Sequence, residues 1–548
     1  MIKTSDRKAH ISHLLAILSC LAVSGALSLD KLSESLVKGS IHVLLLAILI
    51  YAILRCLSFF KPLQFIVALF IGIELFVQLT YQSSLSISIV MSVINAPLGE
   101  SASFASTYLI EALLAVLSVL FMGTAQFTGG RLVGFTTASV GFAYLLIPLL
   151  IQMPGVYKNA FYEDYLNKGT SRGNSKTFST IEYTFHKLSL RFPPFESLIA
   201  IVDSVKLLTM QVNSETSWTG VSVSKQAPEL LVIGIGESLR AGNMGIYGYD
   251  RETTPKLNAL QSSLTVFDQV YAAGSNTWSS IPAILTKTKS LPDLSKSIIH
   301  LANDAGYETY WLSNQAEFGQ WDFSITSLAN QAQTTYFTSQ DEGGSQLDEA
   351  LYSQLEKAIN LNTNKKLIIL HFYGSHMNFE DRYSAEFSVF DSGAPDLDHY
   401  DNSVLYTDSL QEQLIHLVQS KGGEYMFFSD HGLGKPNGEM SLKHDVRIPP
   451  DLDSLQVPLL MTGSLEALAN QEIVIDSNRP FSLFYFECLF SAWSGISANE
   501  LEREEYCANS LSNQDMIYLD ANMSLRKEQA PKQTKEQSAL NTVLASDG

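Results

Sequence analysis

Apolar residues are massed in the first 152 positions of the chain and spaced out in the rest. Blocks at 11–29, 41–60, 63–81, 109–127 and 132–152 are nearly continuous in apolar side chains. Each is long enough to cross a hydrocarbon core of about 30 Å, which takes about 20 helical residues. They predict a transmembrane domain of five helices over 1–152. The first block ends in Ser24-Gly25-Ala26, a small-residue run like those cut by signal peptidase, but four further spans follow, which favours an uncleaved helix.

Beyond about residue 227 the pattern changes. Short β-branched or aromatic runs at 230–235, 308–312, 366–372, 425–428 and 457–461 predict strands. Between them lie helical stripes: Leu347, Ala350, Leu351, Leu355, Ala358 and Ile359 form one, and Leu410, Leu414, Leu417 and Val418 another. Such alternation predicts an α/β domain over 227–521 with a mostly parallel central sheet covered on both faces. Residues 153–226 are mixed and read as a bridging region, with an amphipathic run at 195–210 suited to a membrane surface. The polar segment 522–548 is expected to be disordered.

Charge orients the spans. With the N-terminus inside, Lys3, Arg7, Lys8, Arg55, Lys61 and Arg131 fall on the inner side, against Lys31 and Lys38 in the short outer loops. Five spans then place everything after residue 152 outside the cytoplasm. The net charge of −19 falls mostly on that second part and leaves no basic stripe, which excludes nucleic acid as a partner. Cys20 and Cys56 lie within spans, so only Cys488 and Cys507 could pair in an oxidising compartment. Glu74 and Glu111 lie within the third and fourth spans, where an ionisable group is costly and usually functional.

The polar residues of the second part collect just after the predicted strands. Glu237 follows the first, His371 and His376 stand at the end of the third, and Asp430, His431 and His444 follow the fourth. Ligands of parallel sheets sit beyond the carboxyl ends of the strands. A Glu, an Asp and a His converging there make a ligand set for Zn²⁺ or Mn²⁺ with a position left for the reacting group. Taken singly, Glu237 reads equally well as a turn carboxylate, Asp430-His431-Gly432 as turn chemistry, and His371 as a core residue. Ser275, Thr277, Ser279 and Ser280 precede a helical run, near the positive end of its dipole, and any one of them could be a helix cap or a nucleophile.

The segments "IGESLRAGNMGIYGYDRETTPKL", "GSNTWSSIPAILT", "HFYGSH", "YDNSVLYTD" and "SDHG" resemble the membrane-bound phosphoethanolamine transferases of Gram-negative bacteria. That resemblance covers nearly the whole chain. It implies five spans followed by a periplasmic domain of the alkaline phosphatase and sulfatase fold, in the inner membrane, with zinc as metal. It also implies that Glu237, Thr277, Asp430 and His431 hold the metal, that Thr277 is the nucleophile, and that Glu100, His376 and His444 meet the substrate. The donor implied is phosphatidylethanolamine, and the acceptor a lipopolysaccharide, on lipid A or core sugars, or another periplasmic glycan. The chain departs from lipid A-modifying members in lacking cysteines beside the nucleophile, having Gly274 there, and in following Asp-His-Gly with Leu433 rather than Glu. Those departures leave the acceptor open.

Threonine is a weak nucleophile near neutral pH, and coordination to a divalent cation is a direct way to activate it. Ping-pong transfer through phospho-threonine is therefore expected. Two rivals are a phosphoglycerol transferase of the same fold, whose metal set would look alike, and a non-catalytic membrane sensor of lipid, which would be expected to lose metal ligands. A true sulfatase would need a C/S-x-P-x-R motif, which is absent near Thr277.

Overall fold

A computed structural model describes residues 4–95, 107–128, 133–146, 192–210, 215–289, 291–316, 323–339, 346–361, 365–435, 442–463, 476–503 and 506–531. The chain divides into two compact units, one formed by 1–90 with 102–205 and the other by 91–101 with 206–548.

The first unit is helical. Its main elements are α1 (Thr4–Ala26), α2 (Leu36–Leu57), α3 (Lys61–Tyr81), α4 (Leu109–Gly123), α5 (Val133–Leu146) and α6 (Pro194–Met210). Leu46, Leu49, Ile50 and Leu54 of α2 pack with Ala68, Ile71 and Leu75 of α3 and with Val119 and Met122 of α4. The opposite faces carry exposed Leu44, Ile66 and Leu117, so these helices are apolar all round, as lipid contact requires. Among the described residues three helices are long and apolar enough to span a membrane, at Lys8–Ala26, Leu36–Leu57 and Lys61–Tyr81. The fourth and fifth predicted spans appear as the shorter apolar helices α4 and α5. Of the five spans expected, three are thus helices of full spanning length among the described residues.

Glu74 is fully buried in α3. Its Oε2 accepts from the Ser197 hydroxyl of α6 and, at 3.4 Å, from the Leu85 amide. α6 turns Ser197, Ala200 and Ser204 inward and leaves Leu198, Val202 and Val205 exposed, the amphipathic pattern expected of a helix against lipid.

The second unit is built on a seven-stranded sheet: β1 (Leu230–Gly236), β2 (Leu264–Val266), β3 (Glu308–Ala316), β4 (Thr334–Ser339), β5 (Lys366–His371), β6 (Glu424–Ser429) and β7 (Leu459–Thr462). The order is β2-β7-β6-β1-β5-β3-β4. β1 runs parallel to both β5 and β6, and β3 parallel to β5 and β4, whereas β7 is antiparallel to β6 and β2. The sheet is thus mixed, with its parallel part at the centre. All seven residues of β1 are buried, which is why it reads as a continuous apolar run. The stripes expected from periodicity are the buried faces of α8 (Ala350–Asn360) and α9 (Pro395–Ser420), while α7 (Thr277–Leu285) lies earlier in the chain.

Two expectations need correction. β2 and β4 were not foreseen, because one is three residues long and the other, "TTYFTS", has no apolar alternation. The segment taken as a disordered tail from residue 522 begins with a strand: β8 (Asp515–Leu519) and β9 (Leu525–Gln529) form an antiparallel hairpin. Every residue of β9 is exposed, so its polar composition hid a strand held by backbone pairing and by surface contacts such as Tyr518 to Glu528 and Lys527 to Asp515. Within the segment read as a bridging region, α6 covers Pro194–Met210 and Ser222–Val223 pairs with Ile496–Ser497. Cys488 and Cys507 are joined in a disulfide.

Candidate metal centre

The register of the parallel strands puts the expected ligands side by side. Gly236 of β1 lies opposite Ser429 of β6, and the Asp430 amide donates to the Gly236 carbonyl at 3.0 Å. One residue past each strand, Glu237 and Asp430 therefore emerge together at the carboxyl edge. Thr277 reaches the same point as the first residue of α7, whose cap is Asn276, its side-chain oxygen accepting from the Ser279 amide at 3.1 Å.

Thr277 Oγ1 lies 2.9 Å from Glu237 Oε2 and 3.2 Å from His431 Nε2. His431 Nε2 is in turn 3.2 Å from Glu237 Oε1 and 3.5 Å from Asp430 Oδ2. Glu237, Asp430 and His431 are buried, while Thr277, His376 and His444 are partly exposed. The site is a buried floor of two carboxylates and an imidazole under a more open rim. Ligand atoms of Glu237, Asp430 and His431 all fall within 4.8 Å of one another, as do those of Glu237, His376 and His444. The ring centroids of His376 and His444 are 5.3 Å apart.

This floor is poorly satisfied without a cation. Asp430 Oδ2 is buried and has no hydrogen-bond partner, although Oδ1 accepts from the amides of His431 (2.7 Å) and Ser238 (3.2 Å). His431 Nδ1 donates to the Gly432 carbonyl at 2.7 Å, which turns Nε2 toward the carboxylates. Burial and the neighbouring Glu237 push the Asp430 carboxyl well above the usual range. Burial also works against the charged form of Glu237, but His431 and His444 outweigh it and hold that carboxyl well below its usual value. Burial lowers His431, yet Asp430 and Glu237 overcome this and raise it to about 9. In the metal-free chain a proton on His431 thus does the work for which the donor set, one nitrogen and two carboxylate oxygens, suits zinc. Burial lowers both His376 and His444 below the ordinary histidine range, which keeps them neutral near pH 7.

The rival hydroxyls point elsewhere. Ser275 donates to the Asp445 carbonyl at 2.5 Å, Ser280 to the Asp430 carbonyl at 2.5 Å, and Ser279 to the Asn276 carbonyl at 3.2 Å. His371 lies in the core: Nδ1 is 3.2 Å from Ser313 Oγ, and burial pulls its pKa down to about 4. Gly274 sits so close to α7 that a Cβ there would lie 2.3 Å from Ser279 Oγ, and Leu433 is buried in the core. Glu100 lies outside the described residues.

Two contributors escaped the sequence reading. Gln315 Nε2 donates to the Phe372 carbonyl at 2.9 Å and reaches Glu237 Oε2 at 3.5 Å. β3 was read as ending at Leu312; had its full length been seen, Gln315 would have met the same strand-end criterion as the others. Ser238 hydrogen-bonds Glu237 itself, with no sequence signal beyond adjacency. The motif "YDNSVLYTD" is structural: Asp401 accepts from Arg251 Nη1 at 2.8 Å, as does Asp398 just before the motif, and Asp408 accepts from the Lys256 and Leu257 amides. These contacts fix the loop that follows Glu237.

Residues 229–480 match the Sulfatase family. The chain is 31% identical over 339 residues to "Putative transferase YhbX" of Escherichia coli strain K12, covering 60% of each chain. It is 32% identical over 232 residues to Phosphoethanolamine transferase EptC of the same strain, covering 38% of this chain and 40% of that one. The zinc complex of the C-terminal periplasmic domain of EcEptC superposes with a TM-score of 0.52 at 25% identity, covering 57% of this chain and 96% of that one. The integral membrane protein lipooligosaccharide phosphoethanolamine transferase A (EptA) from Neisseria meningitidis shares the fold, with a TM-score of 0.66 at 20% identity over 90% of this chain and 97% of that one. The chain thus spans 60% of the length of the first of these curated relatives.

Proposed function

We infer that this chain, which belongs to the membrane-bound phosphoethanolamine transferase family of the sulfatase superfamily, transfers phosphoethanolamine from phosphatidylethanolamine to lipopolysaccharide or another periplasmic glycan. The observation that carries this reading is the approach of Thr277 Oγ1 to both Glu237 and His431, above an Asp430 oxygen that lacks a hydrogen-bond partner. Glu237, Thr277, Asp430 and His431 would hold zinc. When bound, zinc would lower the pKa of the Thr277 hydroxyl and offset negative charge on the phosphoryl oxygens. The zinc complex of the related EcEptC domain supports that metal, and manganese has no such support.

Thr277 Oγ attacks the donor phosphorus, its proton passes to a neutral rim imidazole, a P–O bond to Thr277 forms, and the bond to diacylglycerol breaks. His376 and His444, at the rim, face the phosphoryl group, and one of them delivers a proton to the departing diacylglycerol oxygen. In the second half the acceptor loses its proton to the same imidazole and attacks phosphorus, the Thr277–phosphorus bond breaks, and that proton returns to Thr277 Oγ. Both histidines are held neutral near pH 7, as a group that alternates between donor and acceptor needs to be. Glu100 is a further candidate for substrate contact. A donor with two acyl chains does not readily leave its bilayer, which accounts for apolar helices in the same chain as the sheet. We place the protein in the inner membrane of a Gram-negative cell, with the sheet unit in the periplasm.

The test is the mass of the Thr277 peptide after the full-length protein is incubated in detergent with phosphatidylethanolamine. A phosphoethanolamine adduct adds about 123 Da. A glycerol phosphate adduct, formed with phosphatidylglycerol instead, would favour the phosphoglycerol transferase. Thr277→Ala should bind zinc and transfer nothing; full activity in that variant, or a zinc-loaded wild type that never forms an adduct, overturns the reading.

A further inference from the structure

Ser238 follows the first candidate ligand and has φ +59, in the left-handed region that a residue with a Cβ rarely adopts. It is fully buried, and each of its polar atoms is engaged. Its amide donates to Asp430 Oδ1 at 3.2 Å, and its carbonyl accepts from the Tyr400 hydroxyl at 2.8 Å. Its own hydroxyl lies 2.6 Å from Glu237 Oε1 and 3.4 Å from His444 Nε2. Backbone geometry alone would be better served by glycine. The hydroxyl is what glycine cannot supply.

A serine hydroxyl has one proton. The ionised Glu237 can only accept, so the proton goes to Oε1, and the oxygen lone pairs are left toward His444. Glu237 Oε1 is thereby fixed on the side of Ser238 and His431, and Oε2 is turned toward Thr277 at 2.9 Å and Gln315 at 3.5 Å. One small side chain sets the rotation of a carboxylate in the floor and anchors an imidazole of the rim.

We propose that Ser238 is a positioning residue, held in a strained backbone conformation so that its hydroxyl couples Glu237 to His444. The proposal rests on the function above for what is being positioned. It predicts that fold stability and site function separate at this position. Ser238→Gly relieves the backbone and loses the hydroxyl; Ser238→Ala keeps the strain and loses the hydroxyl; Ser238→Thr keeps a hydroxyl at some cost to the backbone.

The experiment uses the full-length protein in detergent and measures the thermal midpoint of the zinc-free chain, zinc affinity by competition with a chromophoric chelator, and turnover. Ser238→Gly is expected to unfold at or above the wild-type temperature, yet to bind zinc about 10-fold or more weakly, in the range seen when partners of metal ligands are removed. Its kcat should fall with little change in KM. Ser238→Thr should unfold earlier while keeping tighter zinc binding than Ser238→Gly. Wild-type zinc affinity and turnover in Ser238→Gly overturn the proposal, as does a fall in its thermal midpoint equal to that of Ser238→Ala. Asp430→Ala is run in parallel: if it keeps zinc, the metal-site reading itself fails, whereas if it loses zinc and Ser238→Gly does not, only the role of Ser238 is lost.

Discussion

Replacing Gly374 by alanine places a methyl group where the chain has no room for it. Gly374 has φ +54, and a Cβ built there lies 2.7 Å from the Glu237 carbonyl oxygen, 2.8 Å from its amide nitrogen and 3.1 Å from its Cβ. The left-handed backbone by itself costs an alanine about 1–2 kcal/mol. The overlap adds about 1–3 kcal/mol, because two of the three contacts are backbone atoms that cannot swing away. Gly306 provides the control: it has φ +83 and nothing within 4 Å of the added Cβ, so Gly306→Ala bears only the backbone cost. All five tryptophans lie beyond residue 215, so denaturant unfolding of the full-length protein followed by their fluorescence reports the sheet unit. Gly374→Ala should be about 2–5 kcal/mol less stable than wild type and about 1–3 kcal/mol less stable than Gly306→Ala. It should also bind zinc more weakly, since the overlap is relieved by displacing either Glu237 or the turn that carries His376. Equal midpoints for the two variants, with wild-type zinc affinity in Gly374→Ala, would refute the reasoning.

His371 gives a pH prediction. Its folded pKa of about 4 lies below the ordinary histidine value of 6.5, so its contribution to stability is present above pH 6.5 and lost as pH falls from there toward 4. The full loss is about 3 kcal/mol; His371→Gln should flatten the stability profile between pH 6.5 and 4, and an unchanged slope would argue against a buried neutral imidazole. The Cys488–Cys507 disulfide joins residues 19 apart, and replacing both by serine should cost about 3 kcal/mol by the loop-entropy account, read from the same fluorescence transition. Tyr400→Phe removes a hydroxyl that donates to the Ser238 carbonyl and accepts from the Arg240 amide at 2.9 Å. Leaving two buried groups unpaired should cost about 1–3 kcal/mol and weaken zinc binding, and a neutral result would show that water replaces the hydroxyl.

The sequence by itself determined roughly where the elements lie and which polar residues follow the central strands. The buried central strands betray themselves as apolar runs, and the carboxyl-edge rule then picks out Glu237, Asp430 and His431 without any coordinates. It failed where backbone pairing, not side-chain burial, holds an element: β9 is exposed along its whole length, and β4 is mostly polar. Register was equally hidden. Only the alignment of Gly236 with Ser429 shows that Glu237 and Asp430 share one point, and only packing shows that Ser275, Ser279 and Ser280 donate to backbone carbonyls while Thr277 faces the carboxylates. Composition and periodicity record what each residue contributes to burial, a local property. The direction of a hydroxyl and the rotation of a carboxylate depend on neighbours some 40 to 200 positions away, such as Thr277 and His444 for Glu237 and its adjoining Ser238, so they belong to the folded chain alone.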